Sequence, residues 1–212
     1  MQAIETLQSI REQVQQCRLC PLHAGRKKSV PGEGPADSQI MFIGEGPGFH
    51  ENEQGKPFVG QAGKLLDELL AQAGLSREEV FITNVVKCRP PNNRDPELAE
   101  LLACRQYLDA QIEAINPRVI VTLGRFSMAR FINNGRISQI HGYPHKVDGR
   151  TIVTMYHPAA ALHQPDLKKD ILSDFSRLYQ LLNQPVEVKP AWETPESSQK
   201  NTENPPEQLS LF

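Results

Sequence analysis

Four short apolar segments that alternate with helix-like segments constrain the fold of this 212-residue chain most strongly. Each is rich in aliphatic or β-branched residues and suits a buried strand. Strands separated by helices are joined by right-handed crossovers and therefore lie parallel in one sheet. We predict a three-layer α/β/α fold with a central, mainly parallel four-stranded sheet. Its strands are Gln39–Ile43, Val80–Val86, Val119–Leu123 and Thr151–Met155.

Helical patterns surround these strands. In the first sixteen residues, apolar side chains recur at helical spacing, at Ile4, Leu7, Ile10 and Val14. Asp95 is the predicted N-cap of a long helix that has Pro96 in its first turn. The helices predicted after the first are Ala62–Ala73, Pro96–Ile115, Arg125–Phe131 and Leu167–Leu182.

The composition changes after Leu182. Residues 183–212 are rich in Pro, Glu, Ser, Asn and Gln, with five Glu against two Lys. Such a segment has too little apolar content to fold alone. We therefore expect one folded domain over residues 1–182 and a disordered tail over residues 183–212.

Composition limits where this protein works. Its formal net charge of −2 gives no overall signal for nucleic-acid binding. No apolar run approaches the length of a membrane span, and the N-terminus lacks an apolar signal segment. We expect a cytoplasmic monomer without a membrane partner.

Four cysteines are the strongest chemical signal, and the chain has no others. A reducing cytoplasm disfavours disulfides, so a metal site is the preferred interpretation. Four thiolates suit tetrahedral zinc or an iron–sulfur cluster, and their spacing leaves both open. The candidate ligands are Cys17, Cys20, Cys88 and Cys104.

Unusual residues follow the predicted strands at the edge where parallel sheets bind ligands. A glycine-rich segment, Gly44–Gly48, follows the first strand and matches neither a P-loop nor a dinucleotide-binding fingerprint. Asn84 lies inside the second apolar run, where its amide could face a nucleobase edge. His157 follows the fourth strand and precedes a proline, which favours an extended backbone.

Together these features resemble the family 4 uracil-DNA glycosylases, the bacterial and archaeal iron–sulfur branch of their superfamily. The resemblance covers roughly Leu7 to Leu182. It rests on the four cysteines and on the motifs GEGPG, GKPFVGQAGKLL, TNVVKCRPPNNRDP and YHPAAAL, in that order. It implies a uracil-DNA glycosylase-like fold, removal of uracil from DNA to leave an abasic site, and a [4Fe–4S] cluster on the four cysteines.

The resemblance also implies residue roles. Phe58 would stack on the extruded uracil, Asn84 would read the edge of the base, and His157 would donate toward uracil O2. Glu45 and Gly46 would line the pocket, with their backbone N–H groups available to the base.

Departures from the family pattern leave some roles open. Glu51 is the candidate for orienting water or stabilising a cationic sugar. Asn52 stands where an acid is common, so the alternative carboxylate is Glu53. Leu162 is a candidate wedge into the DNA stack, with ordinary packing as the alternative. His163 stands where an arginine is frequent, so one DNA contact would be weaker.

The C-terminus resembles the peptide by which bacterial repair proteins bind the DNA sliding clamp. Its apolar side chains could fill a pocket, and the tail would supply reach. The alternative to an enzyme is a non-catalytic iron–sulfur or zinc protein that binds nucleic acid. The residues of the candidate clamp peptide are Gln208, Leu209, Ser210, Leu211 and Phe212.

Overall fold

The computed structural model describes residues 2–183 and the two residues Lys189–Pro190. In these ranges the strands form one sheet in the order β2-β1-β3-β5-β4-β6. The strands are β1 (Ile40–Gly44), β2 (Phe81–Asn84), β3 (Val119–Leu123), β4 (Pro144–Val147), β5 (Arg150–Met155) and β6 (Lys189–Pro190). The helices are α1 (Gln2–Gln16), α2 (Leu22–Gly25), α3 (Phe49–Gln54), α4 (Gln61–Gln72), α5 (Leu98–Ile115), α6 (Arg125–Ala129), α7 (Ile137–Ile140), α8 (Pro158–His163) and α9 (Leu167–Asn183).

The four predicted strands are β1, β2, β3 and β5, and neighbouring pairs among them are parallel. Nearly all their residues are buried, as is usual for a parallel sheet covered on both faces. Phe42 packs with residues of α4 and α9, whereas Met41 and Ile43 pack on the other face with α5. The predicted three-layer α/β/α architecture is confirmed.

The sheet is larger than predicted. β4 runs antiparallel to β5 through a turn at Asp148 and Gly149, whose φ angles of 48° and 78° are typical of a tight hairpin. β4 is mostly half-buried and lacks apolar alternation, so no strand was predicted there. Lys189–Pro190 pairs with β4, which differs from the disordered tail predicted over 183–212. Asn183, the first residue of the predicted tail, is the last residue of α9, and the other tail residues lie outside the described part of the chain.

Helix α5 begins later than predicted, and its cap is different. Glu97 is the N-cap and forms a reciprocal capping box with Glu100. Asp95 forms an ion pair with the first residue of α6, so its predicted role as cap is wrong. The guanidinium of Arg94 binds both carboxylate oxygens of Glu100, at 2.9 and 2.7 Å, and lowers the pKa of that buried carboxyl. The start of α5 is therefore held by charge-assisted hydrogen bonds.

Helix α1 packs on α5 through the buried side chains of Ile10 and Val14. The predicted inward face is shorter than expected, because Ile4 is 62% exposed. The other predicted helices begin and end within two residues of their expected bounds. No helix in the described part of the chain is long and apolar enough to cross a membrane.

Candidate active site

A pocket of about 280 Å³ opens beyond the carboxyl ends of β1, β2 and β5, where ligands of parallel sheets bind. Six residues were predicted to contact the base or to take part in the reaction, and all of them line this pocket. They are Glu45, Gly46, Glu51, Phe58, Asn84 and His157. The lining residues that sequence reasoning did not select are Pro47, Gly48, Ala62, Pro90, Asn93, Arg94 and Ala159.

Asn84 is the last residue of β2 and is almost completely buried. It pairs in register with Gly44, and a Cβ atom there would lie 2.4 Å from Asn84 Oδ1. That oxygen has no hydrogen-bond partner among the described residues, and no other such buried side-chain atom belongs to a residue lining the pocket. An unsatisfied buried acceptor costs about 1–3 kcal/mol, so Oδ1 calls for a donor from a ligand or water.

Lys87 follows β2, and hydrogen bonds from its side chain hold the carboxyl end of that strand. Its buried ammonium donates to the Asn84 carbonyl at 2.8 Å, to Gln111 Oε1 at 2.7 Å and to Thr83 Oγ1 at 2.5 Å. Burial lowers the pKa of Lys87 to about 8. Sequence reasoning missed this role, although a lysine directly after the apolar run that ends at Val86 was the available signal.

Phe58 is buried against Gly44 in the pocket wall and has a left-handed backbone, with φ of 50°. Such a conformation is strained for a residue with a Cβ atom and must be held by its surroundings. The Arg77 guanidinium donates to the carbonyls of Phe58, at 3.1 Å, and Pro57. Glu51 Oε1 accepts from the next two backbone N–H groups, at 2.8 and 2.9 Å. The loop is therefore held from two directions.

His157 caps α8 at the end of the fourth predicted strand. Its Nδ1 accepts from the Ala159 N–H at 3.1 Å, so the neutral ring carries its proton on Nε2. Burial lowers the pKa of His157 to about 4, against the raising effect of the Glu51 charge. The ring lies 5.4 Å from that of Phe58, at an interplanar angle of 27°. At neutral pH the site therefore offers an uncharged N–H donor beside an aromatic face.

The structure separates the acidic candidates. Glu51 lies in the pocket wall, whereas Glu53 forms an ion pair with Lys27 and does not line the pocket. Of the two candidates, Glu51 is therefore better placed to act on a ligand.

A third acidic side chain, Glu45, also lines the pocket. Its pKa is raised, chiefly because the carboxyl is buried and secondly because Asp95 carries a negative charge nearby.

Two further predicted positions lie on α8, beyond the pocket residue Ala159. Leu162 is 45% exposed, and His163 is exposed beside it. Both side chains are therefore open to solvent on the helix that contributes Ala159 to the pocket.

The four cysteines line a second pocket between α1, α5 and the segment after β2. The Lys87 N–H donates to Cys104 Sγ at 3.2 Å, and Arg26 donates to Cys88 Sγ at 3.4 Å. Burial raises the pKa of Cys104 to about 11, and neighbouring thiols add to the rise. Within the described residues, no three His, Cys, Asp or Glu side chains are close enough together to hold a single metal ion. The sulfurs surround a shared pocket instead.

Comparison with known proteins identifies the family. The sequence profile of the uracil DNA glycosylase superfamily matches residues 31–181. This chain belongs to that superfamily.

Several curated relatives of this superfamily member carry the name type-4 uracil-DNA glycosylase. The protein from Sulfurisphaera tokodaii is 47% identical over 84% of this chain and 86% of its own length. Those from Archaeoglobus fulgidus and Thermotoga maritima are 47% and 44% identical, over 84% and 82% of this chain and 94% and 93% of theirs.

Gly63→Ala tests how closely this superfamily member packs α4 against the Phe58 loop. A Cβ atom at Gly63 would lie 1.9 Å from the carbonyl oxygen of Phe58, so the loop or the helix must shift. We expect a loss of about 1–3 kcal/mol in the free energy of unfolding, measured by urea denaturation. Gly25→Ala is the matched control, because no atom lies within 4 Å of the added methyl group. Equal stability of the two variants would contradict the packing described here.

Proposed function

We propose that this protein hydrolyses the N-glycosidic bond of uracil in DNA and leaves an abasic site for base excision repair. The observation that carries the proposal is the buried oxygen of Asn84, which has no partner in the part of the chain that the structure describes and lies in the wall of a pocket with room for a nucleobase. Superfamily membership and the names of the relatives support it. Those names are of glycosylases and give no support to a non-catalytic nucleic-acid-binding protein.

The base must leave the duplex to reach the pocket, at a cost of a few kcal/mol. Stacking on Phe58 would offset about 1–3 kcal/mol of that cost. Asn84 Oδ1 would accept from uracil N3–H, and the amide nitrogen would donate to O4. With the amide in this orientation, cytosine would set its unprotonated N3 against Oδ1 and its amine against the amide N–H, so neither hydrogen bond would form. The amide therefore favours uracil over cytosine.

His157 would stabilise the leaving group. Breaking the glycosidic bond places negative charge on the uracil, in part on O2, and this charge grows toward the transition state. The Nε2–H of neutral His157 is the donor available for it, since Nδ1 is occupied by the Ala159 N–H. A preorganised donor of this kind is worth about 2.7–4 kcal/mol. The lowered pKa keeps this proton arrangement throughout the physiological pH range.

Glu51 would act on the sugar side of the bond. Cleavage leaves an oxocarbenium-like sugar, and a nearby carboxylate stabilises that positive charge. Its Oε1 holds the Phe58 loop, which leaves Oε2 to face the sugar or the attacking water. The water supplies a hydroxyl group to C1′ and one proton to the departing uracil, so the reaction consumes no other reagent.

The four cysteines would hold a [4Fe–4S] cluster. All four line one pocket, and two of them, Cys88 and Cys104, accept hydrogen bonds from N–H groups. Their mutual repulsion as thiolates would be relieved by iron cations. When bound, the cluster supplies a cross-link between distant parts of the chain. The segment after α1, the segment after β2 and helix α5 would then be tied together, and we assign the cluster no step of the reaction.

The tail would serve as a clamp-binding leash. We assign residues 1–182 to the glycosylase domain and residues 183–212 to the leash, whose last five residues lie outside the described part of the chain. An apolar C-terminal peptide on a polar leash suits a groove on the bacterial sliding clamp. Tethering there would raise the effective concentration of the enzyme near newly made DNA.

Excision from an oligonucleotide with a single uracil tests the function. We expect alkali-revealed strand breaks at uracil and none in a thymine-containing strand. His157→Ala should lower the rate constant for excision by about 10²–10³-fold, as expected for loss of one preorganised donor. His145→Ala on β4, outside the pocket, is the matched control and should keep the wild-type rate. Wild-type protein that binds this DNA without excising uracil would favour the non-catalytic alternative.

Cys88→Ser tests the cluster. The variant should lose the visible absorbance of the anaerobically purified protein, because one of four ligands is missing. Its unfolding temperature should fall by several degrees, as expected for loss of a cross-link worth about 1–2 kcal/mol or more. Unchanged absorbance together with unchanged thermal stability would rule out the assigned ligand set.

Removal of Leu209–Phe212 tests the clamp peptide. Binding to a bacterial sliding clamp should be lost, measured by calorimetry, while excision from free oligonucleotides keeps its rate. Ser210→Ala is the control and should retain clamp binding, since the apolar side chains supply the contact. Equal affinity with and without the last four residues would remove this proposal.

A further inference from the structure

Phe49 is a large apolar side chain that the proposed chemistry does not use. It is the first residue of α3, is 54% exposed, and directly follows the pocket residue Gly48. Single exposed apolar residues are common on protein surfaces, so exposure alone decides nothing. Among the described residues, Phe49 differs from the other exposed aromatic side chains, Tyr143 and Tyr179, because it adjoins a pocket residue in the chain.

The ring of Phe49 is held in place by its neighbours. The guanidinium of Arg89 lies 5.3 Å from the ring centre, and the ring of His50 meets it edge-on at 5.5 Å and 84°. Arg89 is itself oriented, because its Nε donates to Asn93 Oδ1 at 2.8 Å. Asn93 lines the pocket. The edge of the pocket next to Gly48 and Asn93, here called the rim, therefore carries an oriented aromatic ring with a positive charge over one of its faces.

This combination suits single-stranded DNA. Aromatic rings stack on bases without regard to sequence, and arginine adds cation–π and phosphate contacts. When one nucleotide enters a pocket, its neighbours on the same strand must pass over the rim. The base next to the extruded nucleotide loses a stacking partner, and it would stack on the exposed Phe49 ring instead.

We propose that Phe49, held by Arg89, is a stacking surface for the nucleobase that adjoins the extruded uracil. This inference rests on the proposed function and deepens it, because it names a second DNA contact of the same site. The contact takes any of the four bases. It strengthens binding of single strands most, since their bases are free to turn toward the protein.

The test uses a single-stranded oligonucleotide with 2-aminopurine beside a 2′-fluorinated uracil nucleotide that resists cleavage. Binding of wild-type protein should change the 2-aminopurine fluorescence as the base stacks on the ring. Phe49→Ala should lose that change and raise the Kd by about 5- to 100-fold, the range expected for one stacked base. Phe49→Trp should retain both.

Controls separate this inference from the proposed function. Tyr143→Ala removes an aromatic ring of equal exposure that also lies against an arginine but does not adjoin a pocket residue in the chain, and it should keep the wild-type Kd. Inhibition by free uracil should be the same for Phe49→Ala and wild type, because the pocket is intact. If wild type excises uracil while Phe49→Ala keeps the wild-type Kd and fluorescence change, the stacking surface is wrong and the function stands. Absence of excision by wild type would overturn both.

Discussion

The close approach of the Asn84 and Phe58 side chains to Gly44, at the carboxyl ends of β1 and β2, is the packing on which the rest of the site depends. It requires a glycine between them, because a Cβ atom at Gly44 would lie 2.4 Å from the Asn84 oxygen and 2.7 Å from the Phe58 ring. The parallel register that pairs Gly44 with Asn84 sets this geometry. An amide that can hydrogen-bond to the edge of a base and a flat aromatic ring on which a base can stack therefore lie next to the same glycine, as recognition of a nucleobase requires.

The site is costly to build, and the surrounding fold holds it. Phe58 has a left-handed backbone, and the Asn84 oxygen lacks a partner among the described residues. Arg77 and Glu51 hold the backbone around Phe58 by hydrogen bonds. Lys87 does the same for the end of β2, which carries Asn84. Such strain at a functional site is maintained only when several contacts fix it. A rigid, preorganised pocket is what differential stabilisation of a transition state needs.

The sequence predicted the parts of this structure that depend on local pattern. Buried strands leave continuous apolar runs, and Asn84 and His157 interrupt or follow such runs, so their place at the sheet edge could be foreseen. Long-range contacts left no such trace. One partner of the Lys87 ammonium is Gln111 on α5, and a lysine after an apolar run does not by itself show that its side chain reaches this distant helix. β4 was missed for a different reason, since a half-buried hairpin strand lacks the apolar alternation that marks a strand.

A crystal structure of the protein with free uracil would test the account most directly. We expect the base to stack on Phe58 with its N3 within about 3.2 Å of the Asn84 side-chain oxygen, the distance of an N–H···O hydrogen bond. The ring of His157 should keep its bond to the Ala159 N–H and direct Nε2 toward uracil O2. Uracil bound elsewhere, or bound in the pocket while the Asn84 oxygen contacts only water, would contradict the account.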